Sequence, residues 1–193
     1  MFRKYRLPPV MILALILVPL IGISACGVAP QPESAKTVAA FEVPLTSQGD
    51  RDQFLAILRN AAANEGMHID AASNEDLKQN AKVSPAFEMT MNATVWKGVN
   101  DDESIASAMD QPDHLGQVWL AFFKGEDVML NNLFREAVMR EIMRSWPETL
   151  TLPIMPTGAI PLHRDLIRTP EGYIVNPAEA RKYGLHNGEA RSQ

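Results

Sequence analysis

The 193-residue sequence holds one cysteine, Cys26, so no disulfide can form within the chain and no multi-cysteine zinc site exists. It has no glycine-rich phosphate loop, no serine in a G-x-S-x-G context and no extended interleaving of aromatic and basic residues of the kind that binds RNA. These absences remove nucleotide-binding loops, the nucleophile elbow and RNA recognition from the readings. Histidine is scarce, and His68, His114, His163 and His186 include no pair at the i,i+4 spacing of a helical zinc site. On spacing alone, neither a metal nor a cofactor is expected. Long apolar runs are missing too. The longest, Val10 to Ile23, spans 14 residues and is broken by Pro19 and Gly22, whereas a membrane-crossing helix needs about 20.

What is present is an ordinary globular composition, 46% hydrophobic and 21% charged, enough for one core. The formal charge of −5 conceals a split. Three of the 18 bases, Arg3, Lys4 and Arg6, precede Cys26 with no acid among them, which leaves 15 bases against 23 acids, a net −8, for the rest. So acidic a domain is not expected to bind nucleic acid or an anionic lipid surface through bulk charge.

A basic start, a short apolar core and small residues at its exit have the layout of a secretory signal. A retained transmembrane helix is the alternative, disfavoured by the length of the run and by Pro19. The exit reads Ile23-Ser24-Ala25-Cys26, which resembles the lipobox of bacterial lipoproteins, with Ile23 where leucine is usual. The resemblance covers residues 1–26 only. It implies cleavage before Cys26, diacylglycerol on the Cys26 sulfur and, in most cases, acylation of the new α-amino group. Two or three acyl chains anchor stably where one is marginal, each buried CH₂ being worth about 0.8 kcal/mol. Gly27, in place of the aspartate that marks inner-membrane retention, implies delivery to the outer membrane, facing the periplasm. The expected organisation is a signal peptide at 1–25, a lipidated Cys26 with a flexible Pro- and Ser-rich tether to residue 40, a domain at 41–155 and a C-terminal appendage at 156–193.

In the body, Val38 to Leu45 reads as a strand. Asp50 followed by Gln53 resembles a capping box for a helix carrying Phe54, Ile57, Leu58, Ala61 and Ala62. Gly66 is placed to end that helix, and His68 to Ala72 reads as a short strand. Residues 87–96 alternate, with Phe87, Met89, Met91, Ala93 and Val95 on the inner face. Val118 to Phe123 is apolar on both faces, as a central strand is. Asp127 to Trp146 reads as a long helix whose apolar face holds Leu130, Leu133, Phe134, Ala137, Val138 and Ile142, stopped by Pro147. Thr149 to Ile154 reads as an edge strand, Leu166 to Val175 as a hairpin turning at Thr169-Pro170-Glu171-Gly172, and Asn176 as the start of a short helix closed by Gly184. The order predicts an α+β fold: a mainly antiparallel sheet with two principal helices on one face, an elaborated ferredoxin-like arrangement, with the appendage packing on the domain.

Two clusters are candidates for chemistry. Residues 98–123 carry Asp101, Asp102, Glu103, Asp110 and Asp113 with no Lys or Arg. They read as a solvated loop and a short capped helix over Ser104 to Met109, or else as a cation site or an acidic patch, with His114 beside Asp113. His163-Arg164-Asp165 reads as a surface loop, or as an imidazole oriented by Asp165. Ten methionines, among them Met89, Met91, Met139 and Met143, fill a core or line an adaptable groove. The expectation is a noncatalytic envelope interaction module with an envelope protein as partner. An envelope hydrolase using His163 or His114 with nearby carboxylates is the competing reading.

Overall fold

Six strands pair into one antiparallel sheet, and the reason begins at its first strand. The computed structural model describes residues 32–84, 89–98, 102–111 and 114–185. Cys26, the signal segment, Phe87, Glu88, Asp101, Asp113 and His186 lie outside the described residues. Strand β1, Thr37–Pro44, alternates Phe41 and Val43 on one face with Ala40 and Glu42 on the other. It begins four residues before the expected start of the domain at residue 41, and the preceding Glu33–Ala35 is a 3-10 turn. Backbone bonds from Lys124 and Gly125 to the Lys36 and Ser34 carbonyls tie this stretch down.

Helix α1, Gln48–Asn64, starts three residues earlier than expected of an Asp50 cap. Ser47 is the N-cap: its Oγ accepts from the Asp50 N–H, and the Asp50 carboxylate accepts from the Ser47 N–H at 2.8 Å. A serine at N-cap with a carboxylate at N3 satisfies two backbone donors reciprocally, and Asp50 occupies that N3 position. Ser73 and Asp76 repeat the device at helix α2, Asn74–Val83. Hydrogen bonds from Ser47 and Ser73 hold the Asp50 and Asp76 carboxyls below the usual carboxylate range. A depressed folded pKa contributes stability that is present above the unfolded value and lost as pH falls through the folded one. Acidification through and below the ordinary carboxylate range is therefore expected to fray both helix starts before the core opens. Amide exchange at residues 48–51 and 74–77 checks this, and Ser47→Ala, which removes the hydroxyl bond but keeps the backbone one, should weaken the pH response at the first helix alone.

The remaining strands are β2 His68–Ala71, β3 Asn92–Lys97, β4 Glu103–Gln111, β5 His114–Phe123 and β6 Leu150–Thr151, and the order across the sheet is β2-β3-β4-β5-β1-β6. Because every neighbour is antiparallel, β1 and β2 run the same way with three strands between them, and β5 and β6 flank β1 parallel to each other. The fold is α+β, with α1 and helix α3, Val128–Ser145, on one face.

The long central β4 corrects the sequence reading. Residues 104–109 are strand, not a capped helix. Ala106 and Ala108 are buried and Met109 is exposed, a period of two masked in the sequence by small residues that fit beneath the helices. Residues 89 and 90 precede β3 rather than forming its start, although Met91, Ala93 and Val95 face the core as expected. In α3, Asp127 is the N-cap and Phe134, Val138 and Ile142 are fully buried, but Leu133 is 51% exposed. The last expected edge strand shrinks to two residues before Pro153.

The second face of the sheet is covered as well. Residues 152–185 return across it as the hairpin β7 Leu166–Thr169 and β8 Gly172–Val175, followed by a 3-10 turn at Ala180–Tyr183. Leu152 and Tyr173 pack with Ala40 and Trp119 into a second core. Gly172 makes the close approach: at φ +136° it carries no side chain, and a Cβ there would lie 2.7 Å from the Thr151 carbonyl oxygen. The appendage thus packs on the domain, as its apolar residues require. Among the described residues, no helix is long and apolar enough to cross a membrane.

Candidate functional site

Beneath that hairpin lies a buried carboxylate. Glu42 points from the face of β1 opposite the helices and is 3% exposed. Trp119 stands directly across from it in the β1–β5 register, so its indole reaches over the pair and donates Nε1–H to Glu42 Oε2 at 3.1 Å. Tyr173, pressed down by β8, donates its hydroxyl to Glu42 Oε1 at 2.8 Å. Both carboxylate oxygens are therefore held by neutral donors, and the group cannot turn freely. Burial, the bond to Glu42 and the Glu42 charge push the Tyr173 phenol up to about 12, with Arg168 opposing. The phenol stays protonated and a donor throughout the neutral range.

Two histidines close the site. His114 comes from the start of β5 and His163 from the 3-10 turn His163–Asp165. Their Nε2 atoms lie 3.9 and 3.8 Å from Glu42 Oε2, and their rings stack at 3.8 Å between centroids, tilted by 32°. The His163 ring also stands edge-on to Tyr173, with centroids 5.8 Å apart. The His114 and His163 side chains are 34% and 24% exposed, whereas that of Glu42 is 3% exposed. One ligand-type atom from each of Glu42, His114 and His163 lies within 4.8 Å of the others.

The two histidines of the separate sequence clusters thus meet, and Asp165, the carboxylate beside His163 in sequence, does not join them. Asp165 turns away from His163: it accepts hydrogen bonds from Lys182 Nζ and the Tyr183 hydroxyl, which hold its carboxyl below the usual range. It is a staple for the chain end. Nor do the described carboxylates at the two ends of β4 converge. Asp110 is fully buried at one end of β4, bonded to Thr90, Met91 and Gly116. Glu103, seven residues away at the other end, accepts from the Glu126 N–H. A strand rises about 3.3 Å per residue, which sets these two carboxylates on the order of 20 Å apart. Two clefts lie elsewhere among the described residues: one of about 370 Å³ is lined by Trp96, Asp102 and Phe123, at the far end of β5 from His114. A second lies between α1 and α2, along Arg51, Leu77 and Thr90.

Glu42, Trp119 and Tyr173 escape a motif search because 77 positions separate the first two and 131 the first and third. One signal is visible in hindsight. Glu42 is the sole charge in the apolar run Val38 to Leu45, at a position that alternation assigns to the face away from the helices. Comparison with protein-family models, curated proteins and solved structures returns no match, so the site is read from its own geometry.

Proposed function

We propose that the protein is a lipid-anchored accessory module of the bacterial cell envelope, noncatalytic, with an envelope protein as its partner. The observation that carries this reading is Ile23-Ser24-Ala25-Cys26 at the exit of a basic-then-apolar leader. The folded chain is compatible with it: β1 begins at Thr37, 11 positions after Cys26. In a Gram-negative host the full chain is expected to incorporate labelled palmitate and to sediment with the outer membrane. Cys26→Ser should lose the label and leave that fraction. A wild-type chain that takes no acyl label would sink the reading.

The hydrolase reading is favoured by one observation, the meeting of His114 and His163 over Glu42. Two imidazoles beside a fixed carboxylate are groups suited to general acid–base work. Turnover of activated ester or phosphoester substrates by the full chain, lost in His163→Gln, would support it. Absence of turnover leaves the accessory module.

A further inference from the structure

We infer that Glu42, His114 and His163 form a binding site for one divalent transition-metal ion of the zinc class. The inference rests on the geometry of this site and on neither reading of function above.

A carboxylate taken out of water needs a paired cation, a metal or a full set of hydrogen-bond donors, and two neutral donors compensate it incompletely. Glu42 is 3% exposed, and its two hydrogen bonds come from an indole and a phenol, both neutral. No lysine or arginine pairs with it among the described residues. The groups that do face its open side are the two imidazoles, 3.8 and 3.9 Å from Oε2.

The donor set then selects the ion. Two imidazole nitrogens and one carboxylate oxygen match the preference of zinc and its neighbours for borderline nitrogen donors, whereas calcium and magnesium take oxygen shells. Zinc bonds of about 2.1 Å place ligand atoms ~3.4 Å apart in a tetrahedron. The two imidazole-to-carboxylate separations exceed that by less than 1 Å, and none of the three exceeds 4.8 Å. Binding therefore requires the stacked rings to part and turn their Nε2 atoms inward, a side-chain rotation that half-exposed His114 can make. The surroundings supply the supporting layer. Trp119 and Tyr173 fix the carboxylate as outer-shell donors fix a ligating one. Solvent at the histidine side leaves the fourth position to water.

The test uses the full chain purified in detergent, stripped with a chelator and titrated with Zn²⁺ or Co²⁺. The expected result is one ion per chain, with the intense visible absorption of a four- or five-coordinate Co²⁺ site. Zn²⁺ should shift the imidazole resonances of His114 and His163 and leave those of His68 unmoved. This readout needs no variant, so a folding defect cannot obscure it. Glu42→Gln, His114→Gln and His163→Gln should each weaken binding by on the order of 100-fold or more, since loss of an outer-shell partner alone costs about 10–100-fold. Tyr173→Phe, which removes a positioning residue, should fall within that smaller range. His68→Gln should bind as wild type. Substoichiometric binding, a Co²⁺ spectrum of an all-oxygen octahedral site, or affinity that survives the His114→Gln/His163→Gln double variant would overturn the inference. The acyl-label experiment on Cys26 has no bearing on any of these outcomes.

Discussion

Asp110→Ala is expected to lower the stability of the folded chain by about 3–5 kcal/mol, the largest effect of any single polar substitution here. The carboxylate is fully buried, yet it is saturated with donors. It accepts from the Thr90 N–H at 2.9 Å, the Met91 N–H at 3.1 Å, the Gly116 N–H at 3.2 Å and the Thr90 hydroxyl. These bonds join the approach to β3 to the bulged β4–β5 connection, where Gly116, at φ +85°, also receives the Leu45 N–H on its carbonyl. Alanine leaves three backbone donors without their acceptor, each worth about 1–3 kcal/mol when buried and unmet, and water entering the gap recovers part of that. Asp110→Asn keeps one acceptor oxygen but turns an amide NH₂ toward donors, so it should cost roughly half as much. Urea unfolding measures both, and a lower midpoint with unchanged slope is the expected form. An alanine variant within ~1 kcal/mol of wild type would show that the network is not holding these segments together.

Phe134→Ala is expected to destabilise by a similar amount, about 3–5 kcal/mol, for a different reason. Phe134 is fully buried on α3 and meets Phe122 of β5 edge to face, with centroids 6.1 Å apart. Truncation removes the apolar contact and leaves a cavity between two rigid layers that cannot close on it. Against a typical domain stability of about 5–15 kcal/mol, this is a third or more of what holds many folds together. The neighbouring Leu133→Ala is the control. Leu133 belongs to the same sequence stripe but is 51% exposed, and its loss should change stability by no more than about 0.5 kcal/mol. Paired thermal or urea midpoints decide the matter; equal effects from the two residues would contradict the observed helix orientation.

These two cases mark where the amino-acid pattern stops being informative. Asp110 sits in a run of acids with no base, a composition that reads as solvated. Its burial depends on donors at Thr90, Met91 and Gly116, two of them about 20 positions away. Leu133 and Phe134 differ by one step around a helix, and a 3.6-residue period defines a face only to within a residue or so. Helix α3, the alternation of Met91, Ala93 and Val95, the apolar β5 and the Thr169–Gly172 turn were legible because each is written in neighbouring residues. The strand over 103–111 was not, because alanine and serine carry little pattern for either structure.

The same division holds for the candidate site. The sequence by itself determined the basic-then-apolar segment ending at a lone Cys26, the acidic balance of the residues after it, the α+β class and the two histidines as separate points of interest. Local chemistry carries those: charge, short-range periodicity and the special residues of turns. Only the tertiary structure decided that His114 and His163 stack on one another, and that their carboxylate is Glu42 rather than Asp165. The physical reason is the return of the chain end across the sheet. That return buries the face of β1 that alternation assigns to solvent, and it converts a lone glutamate in an apolar strand into the centre of a site.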